Sequence, residues 1–345
     1  MLSITTVPFS RGVNLTKWFE FRNVQDIPFN KFVEQDFANI KSLGADVIRL
    51  PISLHNLTLG ENDHTLDPLL IKYLDIVVDW AEKYRIYIII DNHSFHPVNP
   101  TDPNIDKILI PVWEQLARHF KDRSDYVLYE VLNEPHKIPD ERWGEIQGEA
   151  IEAIRKIDEK HTIIVGGTDY NSIAKLASIP VYNDNNLIYT FHFYDPHIFT
   201  HQGATWNSPS LAPLSGLSFP ADKNKIPKPH ETFIGTWVEE SLNNYENDAK
   251  PENLCATLGK AAAFSKERGV PVFCGEFGVF MPQSQPDDRI RWYKLICDEL
   301  NKQNISWTCW DYFGGFGLFT TKWGGDFKTD LNIELVKAMG FTTNT

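Results

Sequence analysis

Apolar residues recur along this chain in two alternating rhythms. Short runs rich in β-branched and aromatic residues are followed by longer stretches in which apolar residues return every three or four positions. The first rhythm belongs to buried strands and the second to amphipathic helices. Their regular alternation predicts a parallel α/β fold, because each parallel strand needs a crossover before the next. Strands are read at residues 12–15, 46–51, 86–93, 127–133, 162–166, 187–194, 271–276 and 306–311. The third is nearly all apolar before Asp91, as expected of a strand covered on both faces.

Helix boundaries follow from local chemistry. Asn30 is a plausible N-cap for a first helix carrying Val33, Phe37 and Ile40 on one face, and Gly44 suits its C′ position. Asp67 followed by Pro68 is the clearest helix start, ahead of a stripe of Leu70, Leu74, Val77 and Ala81. Further helices are read at 111–121, after Asp140, at 172–178, 252–268, 288–301 and 331–339. Residues 195–251, rich in Pro, Asn, Ser and Lys, break the rhythm, with a helical stretch near 237–245. A segment this long inside a compact domain is usually functional or a separate element. Eight strands and eight helices in strict order predict a (β/α)₈ barrel, a single domain over 1–345 with a long loop after strand six. Neither a G-x-G-x-x-G nor a P-loop motif occurs, which argues against an open nucleotide-binding sheet.

Composition narrows the partners. The 345 residues exceed the roughly 250 that a barrel needs and leave room for insertions. The net charge of −13 argues against nucleic acid and anionic membranes, and suits a neutral polymer. No apolar run approaches the ~18 residues of a spanning helix. The four cysteines show no metal-ligand spacing, and no disulfide, metal or cofactor is expected. Residues 1–10 lack the pattern of a signal peptide, which leaves a cytoplasmic protein or a mature form given a start Met. A monomer is expected.

Catalytic groups of such barrels lie where strands end. The polar residues that end the apolar runs are Asn14, Arg49, Asp91 and His93, Asn133 and Glu134, His192 and Tyr194, Glu276, and Trp310 with Asp311. They are far apart in sequence, and barrel closure would bring them to one rim. Glu134 and Glu276 stand out as two partly desolvated carboxyls on strands that face each other across the mouth. Burial raises a carboxyl pKa and a nearby Arg lowers it, so opposite tuning would supply one proton donor and one nucleophile. The plain alternative, an ion pair at the barrel mouth, fits one such residue better than two with these neighbours.

The ordered motifs Gly12-Val13-Asn14-Leu15 with Trp18, Val47-Ile48-Arg49-Leu50-Pro51, Leu132-Asn133-Glu134-Pro135, Phe191-His192-Phe193-Tyr194 and Gly275-Glu276-Phe277-Gly278 resemble glycoside hydrolase family 5, the cellulase family. The resemblance spans nearly the whole chain. It implies a retaining endo-β-1,4-glucanase, with β-mannan, xyloglucan or β-1,3-glucan as alternative substrates. It also implies Glu134 as general acid/base and Glu276 as nucleophile. Asn133 would bond a substrate 2-hydroxyl, Arg49 and Tyr194 would contact the nucleophile, His192 would lie beside the acid/base, and Trp310 would underlie the sugar. His93 matches the first of two adjacent His found in many members, and Ser94 departs from the second.

Among the aromatics, Trp18, Trp206, Trp237 and Trp323 are candidates to stack on sugar, with small satellite cores as the competing reading for the two in the long loop. Trp80, Trp113, Trp143 and Trp292 are assigned to packing. Two other classes stay open: a metal-dependent barrel hydrolase using Asp91, His93, His192 and Asp311, and a non-catalytic carbohydrate-binding barrel.

Overall fold

Successive side chains of a strand point to opposite faces, so a strand buried on both sides has two inventories. A computed structural model of the chain describes residues 6–60, 63–321 and 325–343. Its strands β1 (Arg11–Asn14), β2 (Val47–Ile52), β3 (Tyr87–Asn92), β4 (Val127–Glu130), β5 (Thr162–Gly166), β6 (Leu187–Phe193), β7 (Val272–Phe277) and β8 (Ser306–Cys309) close into a barrel in sequence order. Every neighbouring pair is parallel, and β8 returns to β1 with Arg11 opposite Trp307. One inventory is apolar: Val47, Ile89, Leu128, Ile164, Ile188 and Phe273 form an inner layer together with Phe9. Two residues further along β2, β3 and β4, the same parity delivers Arg49, Asp91 and Glu130, all wholly buried. The other face of the strands packs on the helices in one continuous core.

Those helices are α1 (Glu34–Ser42), α2 (Pro68–Tyr84), α3 (Asp106–Phe120), α4 (Asp140–Arg155), α5 (Trp237–Asp248), α6 (Pro251–Arg268), α7 (Pro286–Lys302) and α8 (Ile333–Ala338). Asp67 caps α2 as expected, accepting from Leu69 N at 2.8 Å. Three boundaries differ from expectation. Asn30 lies in a separate 3₁₀ turn, and α1 starts later because Asp36 accepts the Val33 N–H. Helix α3 begins at Asp106 and carries Pro111 inside, held by burial of Leu109, Val112, Trp113 and Leu116. Residues Ile173–Ser178 form a 3₁₀ helix where an α-helix was expected, preceded in the β5–β6 crossover by a short helical turn at Thr168–Asn171. A hairpin of Thr58–Gly60 with Asp63–Leu66 was not anticipated from its short, polar runs.

The rhythm-breaking segment is an ordered extension of the core. Leu211, Leu214, Leu217, Phe219, Phe233, Val238, Leu242 and Tyr245 are buried, and the Tyr245 hydroxyl donates to Ser218 O at 2.7 Å. Ahead of α5 its apolar residues sustain neither period, which is why the sequence alone read most of it as loop. Trp113, Trp143 and Trp292 are buried packing residues, as assigned, and Trp80 is half-buried against Trp18 and Phe37.

Candidate active site

A buried guanidinium needs partners for five N–H groups, and Arg49 on β2 finds all of them within the barrel mouth. Nε donates to Glu130 Oε2 at 2.7 Å, and Nη2 to Glu130 Oε1 at 2.9 Å and Asn133 Oδ1 at 2.8 Å. Nη1 donates to Asn14 Oδ1 at 3.0 Å and Glu276 Oε1 at 2.7 Å. Asp91 Oδ2 lies 3.0 Å from Nη2. One cation therefore serves three carboxyls in a dry site, where charge interactions are strong.

Glu276 follows a register shift on β7. Phe191 pairs with Cys274 but His192 with Glu276, so Gly275 is the extra residue. A Cβ on Gly275 would sit 2.8 Å from Thr190 Oγ1 and 3.1 Å from His192 Nε2, so a larger residue would displace one of them. The bulge re-aims the chain so that Glu276 meets Arg49 and the Tyr194 hydroxyl, which donates to Oε2 at 2.9 Å. Glu134 follows β4 with a left-handed backbone, φ 46°. His136 braces that turn through Nδ1 on Glu134 O at 2.9 Å, and its ring stacks on Tyr170. The Glu134 side chain accepts from His192 Nδ1 at 2.7 Å. Oxygens of Glu134 and Glu276 and a ring nitrogen of His192 all lie within 4.8 Å of one another.

Burial dominates the electrostatics. It pushes the Glu134 carboxyl up to about 7, with His93 and Arg49 opposing and Glu130 adding to the rise. It also pushes Glu276 up, against His192 and Arg49. The expected opposite tuning is thus corrected: desolvation raises both, and the partners make the difference. Glu276 has a fixed cation and a hydroxyl donor on its two oxygens. Among the described residues Glu134 is bonded by an imidazole alone, which burial holds neutral with its own pKa lowered to about 4. Nε2 of that ring faces the Asn171 amide, which assigns the proton to Nδ1.

Residues 10–316 match the family described as Cellulase (glycosyl hydrolase family 5). The chain belongs to glycosyl hydrolase family 5. It is 31% identical to Endoglucanase 3 of Fibrobacter succinogenes over 90% of its length but spans only 50% of that relative. It is 28% identical to Endoglucanase C of Acetivibrio thermocellus, covering 89% of this chain and 92% of that one. The fold superposes on endoglucanase Cel5A of Thermotoga maritima with a TM-score of 0.79 and 26% identity, covering 96% of each chain. Structures of that enzyme with cellobiose and with mannotriose superpose with TM-scores of 0.78 and 0.77.

Within this family 5 glycoside hydrolase the remaining expected site residues divide into those at the cleft and those behind it. His93 donates to Asp91 Oδ2 at 2.7 Å and stacks on half-buried Trp310, with ring centroids 5.5 Å apart. Asn133 Nδ2 is buried without a hydrogen-bond partner among the described residues, while Oδ1 is fixed by Arg49. Trp206 is 40% exposed and joins Phe280 and Phe316 in an aromatic wall that reaches Tyr194. Trp237, partly exposed, donates to Ser208 O and packs its ring against His197.

Two expected substrate contacts are corrected. Trp18 is wholly buried, donates to Phe29 O at 3.1 Å and packs among Phe19, Phe29, Phe32 and Trp80, so it cannot stack on sugar. Asn14 is also wholly buried, bonded to Gly275 O, Cys309 O and Arg49, and acts as a strut. Trp323 lies outside the described residues. Ser94, in place of a second His, accepts the His55 N–H at 2.9 Å and ties down the loop after β2. The proposed metal ligands do not assemble: among the described residues Asp311 binds Thr16 and Asp91 binds Arg49 and His93. Of that set only His192 belongs to the Glu134–Glu276 cluster, where its Nδ1 is already bonded to Glu134. Glu130 was missed, although it shares its strand parity with inward-facing Leu128.

Proposed function

We propose that this chain is a retaining endo-β-1,4-glucanase in which Glu276 attacks the anomeric carbon and Glu134 protonates the departing oxygen. The observation that carries this reading is the short separation of the two carboxyls, with oxygens within 4.8 Å. Retaining glycosidases hold their pair about 5–5.5 Å apart, whereas inverting ones need roughly 6.5–9.5 Å for a water. Glu276, held by Arg49 and Tyr194, is the anion. Glu134, held near 7 by burial, keeps its proton in acid and returns as base once the glycosyl–enzyme ester has consumed the Glu276 charge. Asn133 Nδ2 supplies a preoriented donor for a sugar hydroxyl, and Trp310 an apolar platform. The names of the Endoglucanase relatives support β-glucan as substrate. The mannotriose complex of the Thermotoga enzyme favours β-mannan as the second reading.

A 2-deoxy-2-fluoro-β-cellobioside with a good leaving group should trap a covalent adduct on the peptide containing Glu276. Glu276→Gln should lower kcat by about four orders of magnitude or more. Release of reducing ends should be fastest on carboxymethylcellulose among that substrate, glucomannan, xyloglucan and laminarin. An adduct on another residue, or a product of inverted anomeric configuration, would remove the mechanism; preference for glucomannan would change only the substrate.

A further inference from the structure

We propose that Glu130 is a positioning residue that fixes the orientation of Arg49 and offsets its charge on behalf of the carboxyl pair. The proposal rests on the retaining reading of Glu134 and Glu276. Glu130 ends β4 wholly buried, and its two oxygens grip the Nε and Nη2 edge of Arg49 at 2.7 and 2.9 Å. Two parallel charge-assisted bonds fix the plane of a guanidinium as one bond cannot. With that edge held, Nη1 is left to point at Glu276 Oε1, and the second Nη2 hydrogen at Asn133 Oδ1. The direction of the nucleophile's partner and of the unpaired Asn133 amide both descend from this grip.

Charge adds a second consequence. The groups around Glu130 are Arg49 from β2, Asp91 and His93 from β3 and its flank, His192 from β6, Glu276 from β7 and Glu134 beyond β4. Arg49 is the one permanent cation in that set, and alone it would favour the anionic form of both catalytic carboxyls. Glu130 cancels much of that pull, so the acid can keep its proton while the nucleophile still holds a direct bond to Nη1.

The test compares Glu130→Gln with Glu130→Asp in the full chain, measuring kcat, KM and kcat/KM against pH on an aryl β-cellobioside, with thermal melts alongside. Glu130→Gln should lower kcat about tenfold to a hundredfold, the effect of one lost charge-assisted hydrogen bond, with KM little changed. Both limbs of its pH profile should move to lower pH by roughly one unit. Glu130→Asp keeps the charge and loses the two-point reach, so kcat should fall while the limbs stay. Unshifted limbs in Glu130→Gln, or equal shifts in both variants, would overturn the proposal. Failure of both to fold would make Glu130 a structural group of the barrel and overturn it too. Glu276→Gln in the same assay separates the two levels: activity there defeats the retaining reading, whereas its loss beside a silent Glu130→Gln defeats only the role of Glu130.

Discussion

At the scale of the residue, the site is organised by what a buried group must have beside it. Arg49 has no exposure and therefore gathers Glu130, Asp91, Glu276, Asn14 and Asn133. Glu134, whose side chain is 14% exposed, meets the cleft and, among the described residues, has no Lys or Arg bonded to it. Its raised pKa sets a pH dependence. On the proposed mechanism the productive state has Glu276 ionised and Glu134 protonated, so kcat/KM should rise through acid pH and fall again near pH 7. In Glu134→Gln, assayed with a dinitrophenyl glycoside that needs no protonation, the fall near 7 should vanish. A limb that persists there would assign it to another group.

At the scale of the element, strand parity and one bulge decide which side chains meet. Leu128 and Glu130, or Ile89 and Asp91, share a face of their strands, so the polar layer sits directly on the apolar one. The bulge at Gly275 then places Glu276 opposite His192. The segment after β6 contributes through Trp206, which leans edge-on against Phe280 with centroids 4.9 Å apart. Trp206→Ala should raise KM for long glucans about threefold to tenfold, the worth of one aromatic face, and leave kcat on a short aryl glycoside unchanged. Equal effects on both substrates would count against a chain-binding role for Trp206 and place it at the reaction centre.

At the scale of the whole molecule, the barrel bears the cost of a dry, acidic mouth. Glu134 and Asp91 are both pushed up to about 7 by burial, well above the ordinary carboxyl range of about 4. The folded state therefore binds more protons than the unfolded chain between roughly pH 4 and 7, and stability is lost as pH rises through that window. Glu134→Gln removes one such group. It should raise the Tm at pH 8, by a stability of order 2 kcal/mol, and change it little at pH 5. A variant equally stabilised at both pH values would trace the gain to packing instead.

The order and kind of the strands, the cap at Asp67, and the strand-end positions of Glu134, Glu276, Arg49, His93, His192 and Tyr194 are legible in the chain without its fold. Those features follow from periodicity and from where apolar runs stop, both local properties of the chain. That Trp18 and Asn14 face inward is a matter of packing, because burial depends on neighbours such as Phe29, Trp80 and Gly275 that come from elsewhere in the fold. Packing likewise raises the carboxyls of Glu134 and Glu276 and sets Glu130 behind Arg49. Desolvation is set by the whole barrel mouth, and no spacing along one strand reports it.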